Sequence, residues 1–312
     1  MEPMITAIVP CLNEEKTINS VISELREALG KKAQIIVVDN GSTDNTFRRA
    51  QNSGVEVYKE PNRGKGYAFR TGLNKVNWQS KAIVLVDGDN TYSLDNLQAH
   101  IDYVLLDGFD MVVGNRVIQD LQSKPFRDGH RMGNRVFSSL FRRMFSTDIV
   151  DVLSGYRVLS RGFALSFTGG ASRFEVETEL NAHAFHLSSM VKNADVLYRA
   201  RPVGSNSKLR TYYDGAKILR RYLSLWFTER PLIAFFSLAL PVFSMSFLLF
   251  VRATIPYLET GLVPNLPSLV ASSGLLLLAA VLSVAGIVLD RTNVLRKAFS
   301  RNIYMEANRL KS

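Results

Sequence analysis

The sequence predicts an α/β domain built on a mostly parallel sheet, followed by two helices long and apolar enough to cross a membrane. Three observations carry this reading. Short apolar runs alternate with segments of helical spacing over residues 4–114. Acidic turns follow two of those runs, at 39–44 and 87–89. Two long stretches within 231–289 carry no charge. At 46% hydrophobic residues over 312 positions the chain as a whole is ordinary, so the apolar excess is local. The first ~230 residues are ample for a core of their own.

The elements follow in order. MITAIVP (4–10) is an apolar run that reads as a buried strand. Residues 14–29 place Ile18, Val21, Ile22, Leu25 and Leu29 at helical spacing and stop at Gly30. QIIVVD (34–39) is a second strand, after which Ser42 or Thr43 caps a helix through Ala50. VEVY (55–58) is a third strand, and Gly64 and Gly66 open a helix to about Val76. AIVLVD (82–87) is a fourth strand, 94–106 a helix and DMVVG (110–114) a fifth strand. Strands alternating with helices give a parallel, Rossmann-like sheet. Such sheets bind ligands at the carboxyl ends of their strands. Asp39, Asp87 and Asp89 sit at those ends. An acidic residue there accepts from a base or from ribose hydroxyls. Two aspartates one residue apart suit a divalent cation shared with a diphosphate. The plain alternative for either motif is a solvated turn.

The net charge of +10 points to anionic partners. No RNA-binding signature, zinc-ligand spacing or basic heptad region is present, so nucleic acid is not expected. The excess flanks the apolar stretches: seven Lys/Arg in 201–230 and six in 290–312. That placement suits anionic lipid headgroups. Leu232–Val251 is 20 residues without a charge, enough for a hydrocarbon core of about 30 Å. The second span is expected over about 268–289, after Pro264 and Pro267. Arg252 and Glu259 fall in the expected connecting loop, and both outer flanks are basic. The positive-inside rule then puts 1–230 and the tail in the cytosol. The alternative is a pair of buried core helices. Cys11 is the single cysteine, which excludes an internal disulfide, and the N-terminus lacks the pattern of a signal peptide.

VPCLNEE, VVDNGSTDNT, NRGKGYAFRTG, VDGDNTY and GNR occur in order over residues 9–116. Together they resemble the donor-binding half of family-2 inverting glycosyltransferases of the GT-A type. SGYRVLSR (154–161), FEVETEL (174–180) and GSNSKLRTYYDG (204–215) resemble the polyprenyl-phosphate sugar synthases that act on dolichyl or undecaprenyl phosphate. The resemblance covers about residues 4–230. It implies a nucleotide-sugar donor, a polyprenyl phosphate acceptor, Mg²⁺ or Mn²⁺, and inversion at the anomeric carbon. It places Pro10, Asn13 and Glu14 along the nucleotide pocket, Asp39 on the base and Lys65 near the nucleotide. Asp87 and Asp89 would hold ribose, metal and diphosphate, with Arg116 facing the acceptor phosphate. Ser207 and Lys208 would lie in a loop closing over the site. One departure stands out: mannosyl-phosphodolichol synthases usually carry Gln two places after the second metal aspartate, where this chain has Thr91.

Two further segments bear on the acceptor. Residues 127–143 interleave Arg with Phe, Leu and Met, as an interfacial amphipathic helix does, and offer Arg131 and Arg135 to a phosphate. A soluble surface helix is the alternative. Residues 212–227 read as a second interfacial helix leading into the membrane. In FEVETEL, Glu175 and Glu177 are candidates to orient the sugar, against a solvated acidic face. The expected layout is a catalytic domain over 1–210, a juxtamembrane helix over 211–230, a transmembrane hairpin over 231–289 and a basic cytosolic tail over 290–312. The competing functions are transfer to another lipid or glycan acceptor and a non-catalytic membrane scaffold. A processive synthase is disfavoured by the absence of a Gln-x-x-Arg-Trp motif, and a nucleotidyltransferase by the absence of a glycine-rich loop after the first strand. Homo-oligomerisation is left open.

Overall fold

The computed structural model describes residues 4–77, 79–117, 148–169, 176–200, 226–262 and 265–309, with 139, 220, 223 and 224 as isolated positions. The chain forms two compact units, 1–216 with 300–312, and 217–299.

The first unit is built on a seven-stranded sheet. Its strands are β1 (Ile5–Cys11), β2 (Gln34–Asp39), β3 (Glu56–Lys59), β4 (Ala82–Leu85), β5 (Met111–Val117), β6 (Arg157–Ser160) and β7 (Val191–Leu197). Their order is β3-β2-β1-β4-β6-β5-β7. Pairing is parallel except at β6, which runs antiparallel to both β4 and β5. The five strands read from the sequence are all present. What periodicity missed is β6, inserted between β4 and β5, and β7 on the outer side of β5. Both are short or half-exposed, and neither carries a long apolar run.

The helices of this unit are α1 (Ile18–Leu29), α2 (Thr46–Asn52), α3 (Lys65–Leu73), α4 (Leu97–Leu105), α5 (Arg161–Ser166) and α6 (Val176–Leu187). Helix α1 buries Ile18, Val21, Ile22 and Leu25 and ends at Gly30, whose φ of 75° suits glycine. Helix α3 packs close to the sheet because residue 72 is glycine. A Cβ there would come within 2.4 Å of Ile8 Cγ2. The expected caps of α2 are displaced. The helix begins at Thr46 after Asn45, and Ser42 and Thr43 bond to Asn13 instead. Near the other end of the chain, the Tyr304 hydroxyl donates to Asp110 Oδ1 at 2.5 Å, beside the start of β5.

The second unit is dominated by α7 (Pro231–Thr260) and by α8 (Leu266–Arg309) as far as Phe299. Both are long and apolar enough to cross a membrane, with mean hydropathy of 2.2 and 2.3 over their best windows. They outrun the expected spans. Arg252 and Glu259 lie within α7 rather than in a loop, and α8 continues through the basic tail. Small residues form the seam between them: Ala234, Ala239, Ser246, Ala253, Ser272 and Ala279 are buried. Ser246 Oγ donates to the Ser272 carbonyl at 2.7 Å. A Cβ on Gly286 would sit 2.8 Å from Phe235 Cβ. Close approach on small residues and hydroxyl-to-carbonyl bonds is how helices associate in lipid. Below the seam, Arg296 closes on buried Glu229 at 2.6 Å.

Candidate active site

The carboxyl ends of β1, β2 and β4 gather the residues expected on the donor side. Pro10 is the penultimate residue of β1, paired with Val38 of β2. Asn13 then turns with φ 52°, a conformation asparagine tolerates better than most residues. Its amide donates to Ser42 Oγ and its Oδ1 accepts from the Thr43 amide at 2.7 Å. The Glu14 amide donates to Thr46 Oγ1 at 2.7 Å. Asn13 and Glu14 thus tie the loop after β1 to the loop after β2.

Asp39 ends β2 and is buried at 3% exposure. One of its oxygens accepts from the Ser42 amide, while Oδ1 is buried without a hydrogen-bond partner. An unsatisfied carboxylate oxygen is costly unless a ligand donor meets it. Asn40, not singled out in the sequence, shapes the neighbouring loop. Its Oδ1 accepts from the Gly64 amide at 2.6 Å and its Nδ2 donates to the Asn62 carbonyl. That fixes the entry to α3 and so the position of Lys65.

Lys65 is the electrostatic centre of the site. Its ammonium lies 2.6 Å from both Asp87 Oδ1 and Glu177 Oε1. Burial works against its charge, but the two carboxylates outweigh that and hold it above the ordinary lysine range. Glu177 Oε2 is buried and unpaired. Gly155 packs against this cluster, and a Cβ there would lie 2.2 Å from Asp87 Oδ2. Asp89 is buried too, its Oδ1 taking bonds from the Thr91 amide and from Thr91 Oγ1 at 2.7 Å. From the other side Thr17 Oγ1 donates to the Gly88 carbonyl at 2.7 Å. The Asp87-Gly88-Asp89 turn is therefore held at both ends.

Arg116, near the end of β5, forms a two-pronged pair with Asp151 at 2.6 and 2.7 Å. Its guanidinium also lies over the Tyr198 ring. Asp151, Arg157 and Gly155 are the neighbours that residue-by-residue reading missed. Gly155 and Arg157 lie in the SGYR segment and Asp151 just before it, but their roles depend on contacts across the fold. Of the expected site residues, Asp87, Lys65 and Glu177 come together. Glu175, Arg131, Arg135, Ser207 and Lys208 lie outside the described residues, as does most of each interfacial segment expected over 127–143 and 212–227. Among the described residues no three metal-ligating side chains converge. Asp87 and Asp89 are the described carboxylates that could share a divalent cation with a diphosphate.

The family model for glycosyl transferase family 2 matches residues 6–165. The glycosyltransferase AglJ of Haloferax volcanii is 31% identical over 228 residues, 73% of this chain and 74% of that protein. A dolichyl-phosphate hexose transferase of the same organism is 24% identical over 72% of this chain and 95% of its own length. Among solved structures, Mycobacterium tuberculosis glucosyl-3-phosphoglycerate synthase with Mn²⁺, uridine diphosphate and product superposes with a TM-score of 0.56. It is 24% identical and covers 72% of this chain and 79% of that one.

Proposed function

Because the chain belongs to glycosyl transferase family 2, we propose that it moves a sugar from a nucleotide-sugar to a polyprenyl phosphate at the cytosolic face of a membrane, with inversion. The observation that carries the acceptor is the state of the three carboxylates around Lys65 and Arg116. Asp87 and Glu177 are closed on Lys65, and Asp151 on Arg116. A carboxylate neutralised by a buried cation is a poor general base. A hydroxyl acceptor needs such a base, whereas a phosphate arrives already ionised. The name of the dolichyl-phosphate relative supports the same acceptor class.

In this reading Asp39 Oδ1 accepts from an N–H of the base, and Pro10, Asn13 and Glu14 frame the nucleotide. A divalent cation, Mg²⁺ or Mn²⁺, held by Asp87 and Asp89 would offset charge on the departing diphosphate. Lys65 keeps Asp87 and Glu177 in place, and Glu177 Oε2 accepts from a sugar hydroxyl, with Glu175 a second candidate. Arg116, with Arg131 and Arg135, orients the acceptor phosphate for in-line attack on the anomeric carbon. Ser207 and Lys208 belong to the loop that closes over the donor. Catalysis is then positioning and charge stabilisation. Helices α7 and α8 span the bilayer and, with basic flanks on one side, hold the catalytic unit where the lipid phosphate lies.

The test incubates purified full-length protein with Mn²⁺ or Mg²⁺, undecaprenyl or dolichyl phosphate, and a panel of UDP- and GDP-sugars. The expected product is a lipid-phosphate-linked sugar with inverted anomeric configuration. Transfer exclusively to an unphosphorylated acceptor would overturn the acceptor assignment.

A further inference from the structure

Arg157 is the largest fully buried side chain, with 0% exposure. No carboxylate lies within ion-pair distance of it among the described residues. Its acceptors are neutral. Nε donates to the Ser154 carbonyl at 3.3 Å, and Nη2 to the carbonyls of Val152 at 3.2 Å and Glu177 at 3.3 Å. Nη1 donates to Asn181 Oδ1 at 2.6 Å and faces Met111 Sδ at 3.1 Å. Burial pulls its pKa down to about 10, partly offset by the charges of Glu177 and Asp151.

A cation in this setting is a poor choice for stability, since apolar replacements of buried charges are often neutral or stabilising. Its placement suggests another use. Val152 and Ser154 flank the loop between Asp151, which grips Arg116, and Gly155, which abuts Asp87 and Lys65. Glu177 is the second partner of Lys65. The Gly155 amide is tied separately to the Tyr92 hydroxyl at 2.9 Å. One guanidinium thus grips the backbone on both sides of the site, and its planar fork meets acceptors that a lysine cannot reach together.

We propose that Arg157 is a positioning residue that fixes the spacing between the donor cluster Asp87–Lys65–Glu177 and the acceptor-side pair Arg116–Asp151. The proposal rests on the transfer reaction above but not on the identity of its acceptor. It acts through the 151–155 loop and the first turn of α6, and touches no substrate.

The experiment uses full-length protein and reads turnover as release of nucleoside diphosphate from the donor, a signal independent of the acceptor. Arg157→Lys is expected to lower kcat per folded molecule by about 30-fold, in line with the cost of misplacing reacting groups by around an ångström. The donor KM should move by less than about threefold, because the nucleotide contacts are untouched. The double variant with Asp151→Asn should lose little more than the worse single variant, since both act through one loop. A merely structural role would lower the folded fraction, read by circular dichroism, and leave kcat per folded molecule unchanged. That result, or losses that multiply in the double variant, would overturn the proposal. If Arg157→Lys does not fold, Asn181→Ala, which removes the shortest bond to the guanidinium, is expected to lose about tenfold in kcat by the same argument. Failure of both to fold would assign Arg157 to stability alone and likewise overturn it. Should the wild type transfer to a different acceptor, the polyprenyl phosphate reading fails while the comparison of kcat values stands.

Discussion

Lys65 and Glu177, 112 positions apart in the chain, meet at 2.6 Å with Asp87 closing the other side of the ammonium. The contact brings the start of α3 to the first turn of α6 at the end of β4. Removing its charge on one side tests its role. Glu177→Gln keeps the shape and removes the anion. Turnover is expected to fall about 10- to 100-fold at saturating donor, because charge-assisted bonds to a positioned lysine are lost. Initial rates measure it, and an unchanged kcat would remove Glu177 from the site.

Gly155→Ala places a methyl group 2.2 Å from Asp87 Oδ2 and 2.8 Å from Lys65 Nζ. The neighbours must shift, so nucleoside diphosphate binding with Mn²⁺ should weaken by about tenfold or more, an ordinary consequence of displaced ligands. Calorimetry on the folded variant reads this directly. Binding at wild-type strength would show that Asp87 is not a donor ligand.

Thr91 donates twice to Asp89 Oδ1. Thr91→Val removes the hydroxyl bond at nearly constant shape. About one hydrogen bond is lost, and the Mn²⁺ concentration for half-saturation in the presence of nucleotide should rise roughly fivefold to tenfold. Asp89→Ala should abolish the Mn²⁺ dependence of binding altogether. Paramagnetic resonance of free Mn²⁺ follows both, and full cation-dependent binding in Asp89→Ala would sink the metal assignment.

His100 is buried at 5% exposure, with Nδ1 2.7 Å from the Tyr156 hydroxyl. Burial lowers its pKa below the usual 6.5. The unfolded chain therefore binds its proton first as the pH falls. Stability from neutral His100 is complete above about pH 6.5 and declines below it, toward the depressed folded value. Thermal unfolding between about pH 7.5 and pH 5.5 should show this decline, and His100→Gln should flatten it. Parallel curves for the two proteins would contradict it.

Gly286 faces Phe235 across the hairpin seam. Gly286→Leu should separate α7 from α8 and lower thermal stability in detergent, since tight seams depend on small residues. Nucleotide binding by the catalytic unit should not change. A variant as stable as wild type would show that the seam does not hold the helices together.

The sequence by itself determined the alternating strands and helices through β5, because each buries an apolar run or stripe whose period is local. It also determined the two apolar helices and the acidic strand ends at Asp39, Asp87 and Asp89. Local chemistry sets these features, so they can be read along the chain. The tertiary structure decided what those residues touch. It inserted β6 between β4 and β5, which brings SGYR beside the Asp87–Lys65 pair. It closed Glu177 on Lys65 and Asp151 on Arg116, and it buried Arg157 against the carbonyls of Val152, Ser154 and Glu177. No spacing rule predicts those pairings, because they join segments whose separation is fixed by sheet order and not by sequence distance.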